Sequence, residues 1–146
     1  QALALQGGTN NVNNGRNITF QISTSNFENL VMTFATRRTG TGFNSNQVAY
    51  SLNGSTFTNF DAAYNPPDST TFELKTFDFS SITALDDAAS VFVRITFNGV
   101  TSSSGNNRID NVLFTADPIV IPLPPAAFAG IAGLGLAGIA SRIRRR

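Results

Sequence analysis

Residues 91–98 read VFVRITFN, and this stretch decides the fold class. Every second side chain from Val91 to Phe97 is β-branched or aromatic, with Arg94 and Thr96 between them. This period of two is typical of a β-strand that buries one face and exposes the other. The turn pair Asn98-Gly99 follows directly. The stretch therefore predicts a strand of an all-β domain.

Shorter alternating segments occur along most of the chain, separated by Gly, Asn and Ser. They are residues 18–22, 30–34, 48–52, 72–79 and 107–115. Asn53-Gly54 tolerates positive φ and predicts a hairpin that returns through Phe57 and Phe60. Residues 81–87 have only the spacing of a helical turn. Six or seven short strands without a long helix predict an antiparallel β-sandwich, jelly-roll-like, over residues 1–117.

Aromatic residues indicate both a core and a candidate ligand site. The chain has 13 Phe, no Trp and two Tyr, and most Phe fall on the apolar side of an alternation. Tyr50 also lies on a core-type face. Tyr64, beside Asn65-Pro66-Pro67, is the better candidate for an exposed ligand-binding aromatic. The loops 40–46 and 102–107 are where we expect a polar groove.

The composition argues against catalysis. The chain has no His and no Cys, so it cannot form a Ser-His-Asp or Cys-His site, nor bind zinc through imidazole or thiolate. Lys75, two residues from Glu73, fits a solvated strand face. Carboxylates suited to glycoside hydrolysis exist, but they lie in turn-like segments where Asp commonly bonds the backbone. They are Asp61, Asp68, Asp86 and Asp87. We expect no enzyme.

Asp110 is the candidate metal ligand. In strict alternation it shares a face with Val112 and Phe114, and a carboxylate on an apolar face needs a partner. A structural Ca²⁺ would suit it, and so would Arg94, Arg108 or backbone donors. We expect no other cofactor.

The charge is divided along the chain. Residues 1–118 carry six basic and nine acidic groups, a net charge of −3, which gives no electrostatic reason to bind nucleic acid. All the remaining basic groups are in the tail: Arg142, Arg144, Arg145 and Arg146.

The tail has three parts: a Pro-rich linker at 118–125, then an apolar Gly/Ala/Leu segment and a terminal Arg cluster within 126–146. From Ala126 to Ile143 a helix would span roughly 27 Å, enough for a thin bilayer core. Arginines stay on the cytoplasmic side, so the β-domain would lie outside the cytoplasmic membrane. Residue 1 is Gln, and we expect the natural chain to start upstream with a signal peptide.

The order Ile121-Pro122-Leu123-Pro124, apolar helix and Arg cluster resembles the PEP-CTERM sorting signals of Gram-negative bacteria, in their VPLPA-type variant. Ile replaces the leading Val, and Pro125 precedes the Ala pair. The resemblance implies export, transient anchoring in the membrane and processing by an exosortase that recognises the Pro-rich motif. The protein would then reach the cell surface or the extracellular space.

Upstream, the runs FDFSSITALDD, VFVRITFNG and GNNRIDNVLF resemble jelly-roll domains of exported bacterial proteins. In some carbohydrate-binding jelly rolls the equivalent last strand supplies a structural Ca²⁺ ligand, which here would be Asp110.

Three functions remain open. The leading hypothesis is a non-enzymatic surface or matrix protein, associated with exopolysaccharide and sorted by its tail. The alternatives are a carbohydrate-binding module and the C-terminal fragment of a larger exported enzyme.

Overall fold

The alternating segments form strands in the computed structural model, which describes residues 2–121. The strands are β1 (Leu3–Gln6), β2 (Asn17–Ile22), β3 (Phe27–Arg38), β4 (Ser45–Ser51), β5 (Thr58–Tyr64), β6 (Glu73–Asp78), β7 (Val91–Asn98) and β8 (Asn106–Pro118). Two short 3₁₀ turns, Thr9–Asn11 and Thr83–Leu85, accompany them. The second lies in the segment where a helical turn was predicted.

The strands form two four-stranded antiparallel sheets, ordered β1-β8-β3-β6 and β2-β7-β4-β5. The pairs nest inside one another: β1 with β8, β2 with β7, β3 with β6 and β4 with β5. Successive pairs lie in opposite sheets, which is the strand order of a jelly roll. The predicted all-β antiparallel sandwich is therefore confirmed.

The core lies between the sheets and is built by the predicted alternation. From β7, Val93, Ile95 and Phe97 are fully buried, and from β3 Met32 and Phe34 face them. Each large apolar side chain buried in this way contributes about 1.5–3 kcal/mol. One shared core therefore holds both sheets.

β-Bulges interrupt the pairing of β3 with β8 and reverse the alternation. The register shifts between Thr33 and Ala35, where β8 has an extra residue near Asn111. Asn111 has φ 52°, a left-handed conformation that Asn adopts more readily than most residues. Ile109 before the bulge is buried, and Val112 and Phe114 after it pack on the core.

The prediction that Asp110 shares a face with Val112 and Phe114 is therefore wrong. The bulge at Asn111 inserts one residue between them, so Asp110 lies on the outer face of its sheet, beside Ala35 of β3. Its carboxylate accepts a hydrogen bond from the Asn111 N–H at 2.9 Å. The apolar surroundings that would require a cation are absent at this position.

The predicted hairpin is confirmed, but its turn is wider than Asn53-Gly54 alone. β4 and β5 are joined by residues 52–57, and only Gly54 of the pair has positive φ, at 70°. No helix within residues 2–121 has the length and apolar character needed to cross a bilayer. The predicted hydrophobic helix at 126–146 lies outside the described residues.

Candidate ligand-binding face

The outer surface of the β2-β7-β4-β5 sheet carries neutral amide and hydroxyl side chains around one arginine. Its outward residues include Asn17, Thr19, Gln21, Gln47, Asn59, Arg94 and Thr96, and these residues define what we call the polar face. In register, Arg94 lies between Thr19 of β2 and Ala49 of β4. The arginine is thus central, and its neighbours across the strands are uncharged.

The β4–β5 loop lies over one side of the polar face and is held by side-chain hydrogen bonds. The Ser51 hydroxyl accepts from the N–H groups of Asn53 and Gly54, at 3.2 and 3.0 Å. The Asn53 side-chain oxygen accepts from the N–H groups of Ser55 and Thr56, both at 2.9 Å. These contacts give the loop a defined conformation, because four of its backbone donors are satisfied locally.

Close packing on the sheet shows that the loop covers β4. A Cβ added at Gly54 would lie 3.1 Å from the Phe92 ring, so the backbone at this position lies against the aromatic side chain. Ala49 and Ser51 are buried, although alternation points both away from the core. The loop therefore covers β4, whereas the β2 side of the polar face stays exposed.

Phe57, at the end of this loop, lies over the guanidinium of Arg94. The Cζ atom of Arg94 is 3.8 Å from the centre of the Phe57 ring, a close cation–π contact. Both side chains are half-buried. The contact holds the guanidinium plane in place on the sheet.

Arg94 makes no hydrogen bond through its side chain to any other described residue. Its Nε–H is buried without an acceptor, and neither ion pair found within residues 2–121 includes Arg94. A guanidinium has five N–H donors in a planar fork that matches a carboxylate. The polar face therefore offers an anchored cation whose two Nη groups are available to a ligand.

Gln47 of the polar face has a structural role instead. Its side-chain amide donates to the carbonyl oxygens of Phe60 and Asp61 at 3.0 and 3.2 Å. These carbonyls lie where β5 bulges against β4. Gln47 therefore satisfies the irregular backbone of β5 and keeps its edge in place.

Tyr64 lies inside the sandwich, contrary to the predicted exposed position. Its ring packs against Phe34 and Phe77, with centroids 6.0 and 5.5 Å away. Burial raises the pKa of the Tyr64 hydroxyl above its usual range, and the Asn46 side chain beside it lowers the pKa by a smaller amount. The geometry of that contact is not that of a hydrogen bond. Tyr64 packs against the core with its hydroxyl enclosed, so it is not the exposed aromatic that was predicted.

The two loops expected to form a groove close one end of the sandwich. The Thr101 N–H donates to the Thr41 carbonyl, and the Thr39 N–H to the Asn106 carbonyl, both at 3.0 Å. At Gly42 and Gly105 an added Cβ would fall within 2.3 Å of carbonyl oxygens of the opposite loop. Backbones this close leave no groove between the loops.

The side chains of Asp68, Asp86 and Asp87 make contacts within the protein, as their turn positions indicated. Asp86 and Asp87 accept hydrogen bonds from the N–H groups of Asn29 and Asn26, at 3.2 and 2.9 Å. Asp68 lies 3.8 Å from the Arg38 guanidinium. Asp61 has φ 52° and its backbone carbonyl accepts from Gln47. Lys75 forms an ion pair with Glu73, two residues before it on the partly exposed strand β6.

Among residues 2–121, no group of further metal ligands accompanies Asp110. Within residues 2–121, no three His, Cys, Asp or Glu side chains lie together in a way that could hold an ion. A structural Ca²⁺ at Asp110 stays a prediction, and its argument from an apolar face no longer applies.

Of the sorting motif, Ile121 is described and is exposed. Pro122, Leu123 and Pro124 lie outside the described residues, as do Arg142, Arg144, Arg145 and Arg146.

Sequence reasoning missed Phe57 and Arg94 as site residues. Phe57 and Phe60 are three apart, so one strand cannot place both on the same face, and Phe60 packs on Phe79 in the core. The same alternation that buries Val93 and Ile95 turns Arg94 outward. The signals were present, but nothing in the sequence showed that Phe57 would reach Arg94.

An apolar groove of about 450 Å³ lies at the end of the sandwich opposite the closed loops. Its apolar lining includes Ile22, Phe27, Leu30 and Phe114. It lacks the amides and charged groups that orient a polar ligand, and the polar face has them.

Comparison with solved structures finds the same fold in other proteins. Fifteen solved chains match. One is described as the EclA C-terminal domain, a sugar-binding protein, with a TM-score of 0.58, 9% identity, and coverage of 79% of this chain and 77% of that one. Another, described under "CBM4 structure and function", has a TM-score of 0.48, 17% identity, and coverage of 69% of this chain and 61% of that one. The first likeness is one of fold.

No protein-family model matches the sequence, and no curated protein matches it significantly.

Proposed function

We propose that residues 2–121 form a non-catalytic carbohydrate-binding domain of an exported protein. The observation that carries the proposal is the polar face, where neutral amides and hydroxyls surround an aromatic-backed guanidinium on an open sheet. Sugars present hydroxyl groups and apolar C–H surfaces together. Amides, hydroxyls and an aromatic edge are the groups that bind such a surface.

The structural neighbour supports the same function. The EclA domain is described as sugar-binding and shares the sandwich at a TM-score of 0.58. At 9% identity the likeness transfers no residue, so the site must be argued from this chain. Of the two non-enzymatic hypotheses, the polar face favours carbohydrate binding over a matrix protein without a ligand.

In this proposal, the tail directs the export and sorting of the domain. The motif that begins at Ile121 would be recognised by an exosortase, and the arginines would stay cytoplasmic until processing. The exposed position of Ile121 supports this, because a processing enzyme must reach the chain there. The domain would then bind exopolysaccharide at or beyond the cell surface.

The binding test uses the full chain in a detergent without a sugar headgroup, so that the detergent cannot compete. The protein is applied to an array of neutral and acidic bacterial and plant glycans. Concentration-dependent binding to at least one glycan class is expected. Absence of binding to every glycan at millimolar oligosaccharide would overturn the proposed function.

The tail has its own test, independent of glycans. Mass spectrometry of the mature protein from an exosortase-competent host and from its deletion mutant should show a product ending near Ile121–Pro125 in the competent host only. An intact chain still ending at Arg146 in both hosts would contradict the sorting role.

A further inference from the structure

Arg94 has an aromatic contact but no side-chain hydrogen bond or ion pair within the described residues. It is half-buried, and its Nε–H is fully enclosed without an acceptor. The enclosed Nε–H is out of reach of a ligand. The two Nη groups are not enclosed and have no acceptor among the described residues, so a ligand can bind them.

Arg37 is the internal comparison. It lies on the outer face of the other sheet, with its Cζ 5.2 Å from the Phe72 ring, and its Nη1 donates to the Ser69 carbonyl at 3.3 Å. The Nη1 group of Arg37 therefore has an acceptor within the protein and fixes the segment before β6, whereas its Nε–H is enclosed without an acceptor, as that of Arg94 is. Arg94 has the aromatic contact without the acceptor.

The surroundings of Arg94 fit an anion. Its neighbours across the strands are Thr19 and Ala49, and the residues next along β2 and β4 on the same face are amides and a serine. No carboxylate lies within ion-pair distance of Arg94 in the described part of the chain. An anionic ligand would meet one matching cation and several neutral hydrogen-bonding groups.

We infer that the polar face binds an acidic polysaccharide, and that Arg94 pairs with the carboxylate of a uronate residue. The inference rests on the proposed function and names its ligand class. A planar guanidinium binds a carboxylate through two parallel hydrogen bonds, a geometry that a lysine cannot reproduce. Asn17, Thr19 and Gln21 lie exposed along β2, where they can bond the hydroxyls of adjoining sugars.

General attraction does not explain such binding. Residues 1–118 carry a net charge of −3, so the domain as a whole repels a polyanion. Affinity of the domain for an acidic glycan would have to come from a local site, and the Arg94 variants separate it from attraction by the four arginines of the tail.

The experiment measures binding of oligogalacturonate and of its methyl ester to the full chain by calorimetry. The two probes share one sugar backbone, and the ester removes the charge by capping each carboxylate with a methyl group. We expect at least 10-fold tighter binding of the free acid, with an affinity that falls as salt is raised from 50 to 300 mM. Alginate oligomers serve as a second uronate of different backbone shape.

Three variants locate the effect. Arg94→Gln should lower affinity for the acidic oligomer at least 10-fold and reduce its salt dependence to the part that the arginine tail contributes. Arg94→Lys should recover only part of the loss, because the charge returns without the fork. Arg37→Gln on the opposite face should bind as the wild type does. Thermal unfolding of each variant confirms that it is folded.

The failures of the two proposals can be told apart. Equal binding of acid and ester, or unchanged binding by Arg94→Gln, overturns the uronate inference and leaves carbohydrate binding in place. Absence of binding to any glycan on the array overturns the proposed function and the inference together.

Discussion

The two outer faces of the sandwich each carry an arginine over a phenylalanine, each with an enclosed Nε–H, and the pairs differ in ring distance and in the hydrogen bonds of the terminal nitrogens. Arg37 over Phe72 donates to the Ser69 carbonyl, whereas Arg94 over Phe57 makes no side-chain hydrogen bond within residues 2–121. The aromatic contact alone therefore does not mark a binding site. The presence or absence of an acceptor separates a structural arginine from one available to a ligand.

The largest expected effect tests whether the two faces belong to one folding unit. Phe34 of β3 is fully buried and packs on Phe77 and Tyr64 between the sheets. Phe34→Ala should lower the free energy of unfolding by about 3–5 kcal/mol. Urea unfolding followed by near-UV and by far-UV circular dichroism should still show one transition. Two separate transitions would mean that the sheets, and hence the faces, are independent.

The next largest effect distinguishes Phe57 from Phe72, the two phenylalanines that pack on the arginines. Phe57→Ala should weaken binding of the acidic oligosaccharide about 10-fold, equivalent to about 1.4 kcal/mol, because Arg94 loses the ring that orients it. Phe72→Ala on the opposite face should leave affinity unchanged. Calorimetric titration of both variants measures this difference. Similar losses for both would contradict the assignment of the binding site to the polar face.

Substitution of the two arginines should affect the stability of the fold in the opposite order to their effects on ligand affinity. Arg37→Gln removes a donor from the Ser69 carbonyl and should destabilise the fold by about 1 kcal/mol more than Arg94→Gln does. Each substitution also removes an enclosed Nε–H that has no acceptor and an aromatic contact, so the lost hydrogen bond to Ser69 is what separates the two costs. Urea unfolding at neutral pH gives both values. An equal or larger cost at Arg94 would indicate that it too is structural.

The smallest effect concerns Tyr64 and appears only at high pH. Burial raises the pKa of the Tyr64 hydroxyl, so the folded protein keeps this proton when the unfolded chain begins to lose it near pH 10. Stability from Tyr64 is therefore complete below about pH 10 and falls as pH rises above it.

Tyr64→Phe should be less sensitive to alkali than the wild type and should bind glycans equally well, since it touches neither outer face. Unfolding in urea at pH 8 and about pH 11 gives the comparison, and Tyr50, present in both proteins, cancels. A steeper alkaline loss in Tyr64→Phe would contradict the buried position of the hydroxyl.

Alternation predicted the sandwich well because it reports which side of a strand is buried. Val91 to Phe97 and Leu30 to Phe34 fall where their period of two places them. Phe60 and Tyr64 are four apart, so the same rule already placed Tyr64 on the core side. The prediction of an exposed tyrosine gave too much weight to the adjoining Asn-Pro-Pro segment.

Alternation failed at Asp110, where a single left-handed residue shifts the parity of β8. Asn111 is one of several Asn in the chain, and the sequence does not distinguish it from those in ordinary turns. Ile109 and Phe114 are five residues apart, so both can face the core only if a bulge lies between them. That requirement exists only once the strands are paired.

The sequence by itself determined the fold class, the buried faces of the long strands, the absence of imidazole and thiolate chemistry, and the resemblance of the tail to a sorting signal. These follow from residue type and from a period of two along a single segment. Only the tertiary structure placed Phe57 on Arg94, enclosed Tyr64 and turned Asp110 outward. The reason is that each depends on how a loop or a bulge in one strand meets another strand, and local patterning carries no information about that meeting.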